Sequence, residues 1–133
     1  MADAGAIHLE MLELFDRHDL VRLRETLHPD YSYRGPDAVE RKGPEAGMAV
    51  VAGALAAFPD LRVAVDHHYC FDDISVVEFT VRGTHLGPLG HIPASGKSYE
   101  LVQCAVVEVR DNKIYREREY YDLRNLRKQL GVD

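Results

Sequence analysis

The sequence lacks the features that mark several broad classes of protein. No apolar run approaches the roughly 18 residues of a membrane span, and the stretch from Met48 to Phe58 is short and rich in alanine and glycine. The N-terminus has no basic region followed by an apolar core, which argues against a secretory signal. We therefore expect a cytoplasmic protein with no membrane partner.

Positive charge is also scarce. The 133 residues include 16 Lys and Arg against 22 Asp and Glu, which gives a net charge of −6. The basic residues are scattered rather than gathered into a stripe, so we expect no nucleic-acid partner. The one short basic cluster, Arg124, Arg127 and Lys128, suits the C-terminal end of a helix.

Cysteine is rare, and the histidine pattern does not suggest a metal site. Cys70 and Cys104 both lie inside apolar, strand-like runs, where a free cysteine behaves as a small hydrophobic residue. A disulfide or a reactive thiol are the alternatives, but no cationic residue is adjacent to activate either sulfur. His67 and His68 are consecutive, and neighbours in a strand point to opposite faces, so they do not converge on one ion.

The spacing of apolar residues predicts one α+β domain over residues 1–133. A helical spacing predicts a first helix from Ala4 to about His18, a second capped by Asp19, and a third from Pro44 to Phe58. Two-residue alternation then predicts four antiparallel strands, and Asp122 caps a last helix. We interpret residues 31–43 as a loop over the mouth of the fold. Helices segregated to one face of an antiparallel sheet make an α+β fold.

Five segments of the chain resemble the SnoaL-like polyketide cyclases, within the cone-shaped NTF2-like fold shared with ketosteroid isomerases. Each is weak alone, but together they follow the family's order and spacing over nearly the whole chain. The resemblance implies a curved four-stranded antiparallel sheet, wrapped by three N-terminal helices and a short C-terminal helix around an apolar pocket. It also implies a hydrophobic small-molecule substrate, no cofactor or metal, and a homodimer through the outer sheet face. The segments are Leu27–Tyr31, Gly43–Glu45, Phe58–Leu61, Gly83–Lys97 and Asp111–Gly131.

The resemblance also selects candidate site residues. Glu119 falls where characterised cyclases place their catalytic aspartate, and His85 and Gln103 fall on positions that face the cavity. The implied roles are Glu119 as general base, with His85 or Gln103 holding a substrate oxygen and Tyr121 near the rim. Tyr33 and His91 are further candidates for substrate contacts; their residue types alone do not decide this.

The residues considered alone support plainer interpretations. Alternating charge around Glu119 is typical of a solvated edge strand. A lone histidine such as His85 is more often a satisfied loop residue, and Gln103 is equally compatible with a buried amide. Two positions depart from the family pattern: the base is a glutamate rather than an aspartate, and Ala105 stands where one branch of the family has a histidine.

Three hypotheses for function follow. The first is a polyketide cyclase-like enzyme that closes a ring by intramolecular aldol addition on an aromatic or polycyclic carbonyl compound. The second is an isomerase, dehydratase or epoxide-opening enzyme on the same fold. The third is a non-catalytic binding protein with a closed cavity. For the homodimer, Arg116, Arg118 and Tyr120 share the outer face, and interfaces are enriched in Tyr and Arg.

Overall fold

A single sheet of six strands carries four helices in the computed structural model, which describes residues 3–132. The helices are α1 (Ala4–Asp16), α2 (Leu20–Glu25), α3 (Pro44–Ala57) and α4 (Leu123–Gln129). The strands are β1 (Leu27–Arg34), β2 (Glu40–Lys42), β3 (Arg62–Phe71), β4 (Ile74–Thr84), β5 (Ser98–Arg110) and β6 (Lys113–Tyr120). Their order across the sheet is β2-β1-β6-β5-β4-β3.

The α+β class is confirmed, but the expectation of four antiparallel strands is wrong in two respects. Residues 31–43, which we interpreted as a loop, contain the end of β1 and all of β2. In addition, β1 pairs with β6 in parallel, so the sheet is mixed. Pro29 obscured β1 in the sequence, because proline has no N–H for a ladder hydrogen bond. The β1–β6 register shifts between Leu27 and Ser32, and Pro29 lies in that irregular stretch.

The two predicted helix N-caps are confirmed. Asp19 accepts a hydrogen bond from Arg22 N at 3.1 Å, and Asp122 accepts one from Asn125 N at 3.0 Å, as expected for N-caps. Asp111 and Asn112 both have positive φ, which matches the two-residue hairpin between β5 and β6.

One face of the sheet is covered by helices. Helix α1 packs across β3, β4 and β5, helix α3 packs on β1, and α4 packs on β5. The odd-numbered residues of β4 and β5 point to this inner face and include much of the core, namely Val77, Phe79, Val81, Leu101, Ala105 and Val107. Glu117 and Glu119 of β6 pair with Val107 and Ala105, so both glutamates share the inner face. Within residues 3–132, no helix is long and apolar enough to cross a membrane.

Candidate active site

Two carboxyl groups and two phenols form the polar centre of the inner face. The Tyr31 hydroxyl donates to Glu117 Oε1 at 2.6 Å, and the Tyr33 hydroxyl donates to Glu119 Oε1 at 2.8 Å. β1 and β6 run parallel, and the backbone register places Tyr33 opposite Glu117, so its hydroxyl reaches Glu119 at the next same-face position. The two-residue spacing of the tyrosines matches that of the glutamates. The pairing therefore gives each carboxyl one phenolic donor.

The surroundings of this carboxyl pair disfavour negative charge. Glu117 is only 8% exposed, and among residues 3–132 neither carboxyl has a salt-bridge partner. Burial, reinforced by the charge on Glu119, raises the pKa of Glu117 to about 8, against the lowering effect of the Tyr31 hydrogen bond. Burial likewise raises the pKa of Glu119, although the Tyr33 hydrogen bond opposes this. Both groups hold their protons more tightly than an exposed glutamate does.

An open pocket of about 460 Å³ lies beside this centre; its lining includes Tyr33 but neither Glu117 nor Glu119. It lies between α3, the turn that joins β1 to β2, and the start of α4. Tyr33, the donor to Glu119, is part of its lining, and so is Tyr121, whose pKa is raised to about 12 by burial and by the charge on Glu119. The rest of the lining is mostly small or apolar: Gly35, Pro36, Asp37, Arg41, Ala46, Ala49, Val50 and Leu123.

Gln103 and Ala105 occupy neighbouring inner-face positions on β5. Gln103 stands opposite Phe79 of β4 and is partly exposed, and its side-chain amide makes no hydrogen bond to other residues of the range 3–132. Ala105 pairs directly with Glu119 and is fully buried. The Gln103 amide is therefore available to a ligand, and the small side chain at Ala105 adds no polar group opposite Glu119.

The structure does not bring His85 together with Glu119. Val77 is the β4 residue in the same row as Glu119, and His85 lies eight residues beyond it, roughly 26 Å of strand at about 3.3 Å per residue. His85 is fully buried, packs against Phe58 and has Ser95 Oγ 2.9 Å from Nδ1. The family resemblance implied a position facing the cavity for His85, but it carried no information about its distance from Glu119 along the sheet.

The other predicted contact, His91, is exposed in a tight turn. Leu89 and Ile92 on either side of it exchange backbone hydrogen bonds of 2.9 Å. His91 is not part of the pocket lining. Tyr33 and Tyr121, by contrast, both reach the pocket next to the predicted base.

The sequence reasoning missed Glu117 and Tyr31 as members of the site. The alternation of β6 did group Glu117 with Glu119, but the interpretation of residues 31–43 as a loop removed the tyrosines from the sheet. The matched spacing of two tyrosines and two glutamates was the available signal. Because no strand was predicted at the tyrosines, their spacing could not be matched to that of the glutamates.

The structure also bears on metals and thiols. Within residues 3–132 there is no group of three or more His, Cys, Asp or Glu residues that could hold a metal ion. Cys70 and Cys104 are both free thiols; Cys70 is exposed and Cys104 partly so. A second open cleft, of about 480 Å³, is lined largely by polar groups such as Asp60, Arg62 and Arg82, and its lining includes neither of the tyrosines that bond the two glutamates.

Comparison with solved structures shows the same fold over nearly the whole chain. IdmH from Streptomyces antibioticus, a candidate polyketide cyclase, is 25% identical with a TM-score of 0.85, covering 98% of this chain and 100% of that one. A candidate SnoaL-like polyketide cyclase from Jannaschia sp. CCS1 is 22% identical with a TM-score of 0.85, covering 100% and 97%. A Catenulispora acidiphila protein with a ketosteroid isomerase-like fold is 16% identical with a TM-score of 0.81, covering 96% and 93%.

Sequence comparison identifies the family. No curated protein matches the chain. The sequence profile of the SnoaL-like polyketide cyclases matches residues 6–130, which is almost the entire chain. This agrees with the resemblance carried by the five sequence segments. The chain therefore belongs to the SnoaL-like polyketide cyclase family.

Proposed function

We propose that this protein is a polyketide cyclase-like enzyme that closes a ring by intramolecular aldol addition, with Glu119 as the general base. The observation that supports the proposal best is the position of Glu119. Its carboxyl accepts a hydrogen bond from Tyr33, which lines an open pocket, and burial raises its pKa toward the range where a carboxylate is an effective base. The mostly small and apolar lining suits a hydrophobic carbonyl compound.

The reaction needs only proton transfers and one new carbon–carbon bond. The Glu119 carboxylate takes a proton from a carbon flanked by carbonyl groups, so that a C–H bond breaks and the carboxyl O–H forms. The resulting enolate carbon attacks a second carbonyl of the same molecule, and the alkoxide then takes the proton back from Glu119. In this proposal the Gln103 amide, which lies on the same inner face as Glu119, donates an N–H to a substrate oxygen. Holding a flexible chain in the reactive conformation supplies much of the remaining rate enhancement.

The direct test compares wild type with Glu119→Gln on an anthraquinone-type β-keto ester, following ring closure by mass-resolved chromatography. We expect a loss of at least about 100-fold, on the order of a general base contribution. Glu108→Gln is the matched control, because Glu108 lies on the outer face and pairs with Arg118 at 2.8 Å. Equal activity in wild type and Glu119→Gln would remove Glu119 from the mechanism.

The site also supports a second function, isomerisation, dehydration or epoxide opening by the same carboxyl. Ala105 favours this alternative, because the residue opposite Glu119 offers no polar group where one cyclase branch has a histidine. Ring closure by wild type would decide for the cyclase. Turnover of an epoxide or a β,γ-unsaturated ketone without any ring closure would decide for the alternative.

We further propose a homodimer through the outer face of the sheet. Large hydrophobic side chains are exposed there, including Phe71 at 76% and Val102 at 66%. Light scattering at micromolar concentration should give twice the chain mass of 15.0 kDa. Val102→Glu should give monomers, whereas Val21→Glu, at a residue 75% exposed on α2, should not. A monomeric wild type would contradict the proposal.

A further inference from the structure

We propose that Glu117 is a second functional carboxyl, which keeps its proton while Glu119 is ionised, so that the pair carries a single negative charge during turnover. In this role Glu117 is a positioning residue: it acts on the reaction through Glu119 and touches no substrate. Its catalytic consequence rests on the proposed function. Its protonation state rests on geometry alone.

The geometry leaves too few partners for two ionised carboxylates. Glu117 and Glu119 sit at consecutive inner-face positions of β6, opposite the apolar Val107 and Ala105, both fully buried. The donors to the pair are the single hydroxyls of Tyr31 and Tyr33, and no cation among residues 3–132 forms a salt bridge to either carboxyl. Two neighbouring carboxyls in such surroundings retain one proton between them.

The depth of the two groups indicates which of them holds that proton. Tyr31 is 2% exposed and lies under α3, where a Cβ on Gly47 would come within 2.6 Å of its ring. Glu117 is buried behind it, whereas Glu119 is partly exposed and bonded to the pocket residue Tyr33. The charged form is therefore less costly at Glu119.

Other titratable groups around Glu117 do not change this assignment. Besides Glu119, Tyr121 extends the inner face of β6, and Tyr31 and Tyr33 face the pair from β1. The packed helix α1 carries His8 toward the sheet, where Ser75 Oγ lies 2.9 Å from Nδ1. His8 and the three tyrosines are neutral at pH 7, since burial lowers the pKa of His8 to about 4 and raises those of the tyrosines. The basic side chains Arg116 and Arg118 lie on the opposite face of the strand. The raised pKa of Glu117 agrees with this arrangement.

A neutral Glu117 has a consequence for the reaction. When Glu119 removes the substrate proton, the negative charge moves from its carboxylate to the enolate in the pocket. A protonated Glu117 leaves that charge without a like-charged neighbour. Once Glu117 ionises, the enolate must form beside a second anion in a poorly solvated site, and the rate falls.

The protonation state can be measured without any substrate. We would titrate the side-chain carboxyl carbons of ¹³C-labelled glutamates by NMR in wild type, Glu117→Gln, Glu119→Gln and the control Glu108→Gln. In wild type and the control, one signal should titrate well above the exposed glutamates. It should vanish in Glu117→Gln and shift to lower pH in Glu119→Gln, which lacks the neighbouring charge. A Glu117 signal that titrates with the exposed glutamates would overturn the proposal.

The kinetic test follows kcat/KM for ring closure against pH. Wild type should lose activity above the Glu117 transition, about tenfold per pH unit. Glu117→Gln should show no such alkaline decline in its own pH profile, whatever its activity at neutral pH. The same alkaline decline in Glu117→Gln would overturn the proposal.

A further variant covers the case in which Glu117→Gln does not fold. Tyr31→Phe removes the donor that stabilises ionised Glu117, so the Glu117 NMR midpoint should move to higher pH. An unchanged midpoint would count against the proposal. A raised Glu117 midpoint in a protein that closes no ring would contradict the proposed function and still support the shared proton.

Discussion

The buried carboxyl of Glu117 should make the protein less stable as the pH rises. In the unfolded chain a glutamate ionises near pH 4.5, whereas in the folded protein burial and the charge on Glu119 raise the pKa of Glu117 to about 8. Between these values the unfolded chain is ionised and the folded protein is still protonated. The free energy of unfolding therefore falls with rising pH through this window and levels off above it.

The expected loss in the free energy of unfolding depends on the width of the pH interval over which it is measured. Each pKa unit corresponds to about 1.4 kcal/mol. Below pH 6.5 the buried, neutral His8 acts in the opposite direction, because burial lowers its pKa from 6.5 to about 4. The interval from pH 6.5 to 8 lies above this effect of His8, and we expect Glu117 to contribute a loss of about 2 kcal/mol there.

Urea unfolding at several values between pH 6.5 and 8 measures this loss. Wild type and the outer-face control Glu108→Gln should both lose about 2 kcal/mol. The free energy of unfolding of Glu117→Gln should change little with pH, because its amide does not ionise. The amide oxygen can still accept the Tyr31 hydrogen bond. Glu117→Gln should accordingly be the more stable protein at pH 8. A decline as steep as that of wild type in Glu117→Gln would refute the assignment of the proton to Glu117.

Two further predictions concern α1 and α3. In the Glu117→Gln background, the free energy of unfolding should fall by about 3 kcal/mol as the pH drops from 6.5 to 4, because His8 has a pKa of about 4 when folded. His8→Gln should remove this pH dependence, whereas His91→Gln, at an exposed residue, should leave it in place. The same pH dependence in a protein without His8 would contradict the assignment. Gly47→Ala should displace the Tyr31 ring and lower both stability and ring-closing activity. Gly53→Ala on the same helix is the control: a Cβ at Gly53 meets nothing within 4 Å, so this variant should stabilise the protein by about 0.5–1 kcal/mol. Equal urea midpoints for the two variants would contradict the close packing at Gly47.

Much of the fold was predictable because its signals are local. Asp19 and Asp122 cap helices through hydrogen bonds within four residues, and Asp111 and Asn112 set a hairpin through their own φ angles. The alternation of β6 likewise placed Glu119 on the same face as Glu117. Each of these depends on residues near in sequence, where propensity and periodicity carry the information.

The site itself was not fully predictable, because it depends on contacts between distant residues. Tyr31 and Glu117 are 86 positions apart, and nothing in either segment specifies that β1 pairs with β6 or that it does so in parallel. Pro29 and the short β2 made this region resemble a loop. For His85 the resemblance implied a position facing the cavity but carried no information about the separation from Glu119.

The parallel pairing of β1 and β6 is what assembles the catalytic centre. In an antiparallel pair, a tyrosine beside Glu117 would place the next same-face tyrosine near residue 115 rather than near Glu119. In parallel, both steps run in the same direction, so Tyr31 and Tyr33 meet Glu117 and Glu119 in turn. A one-residue slip of β1 would turn both phenols to the outer face and leave both carboxyls without a donor. The irregular register around Pro29 therefore matters for the site as well as for the fold, since it determines on which face of the sheet the side chains of β1 lie beside the glutamates.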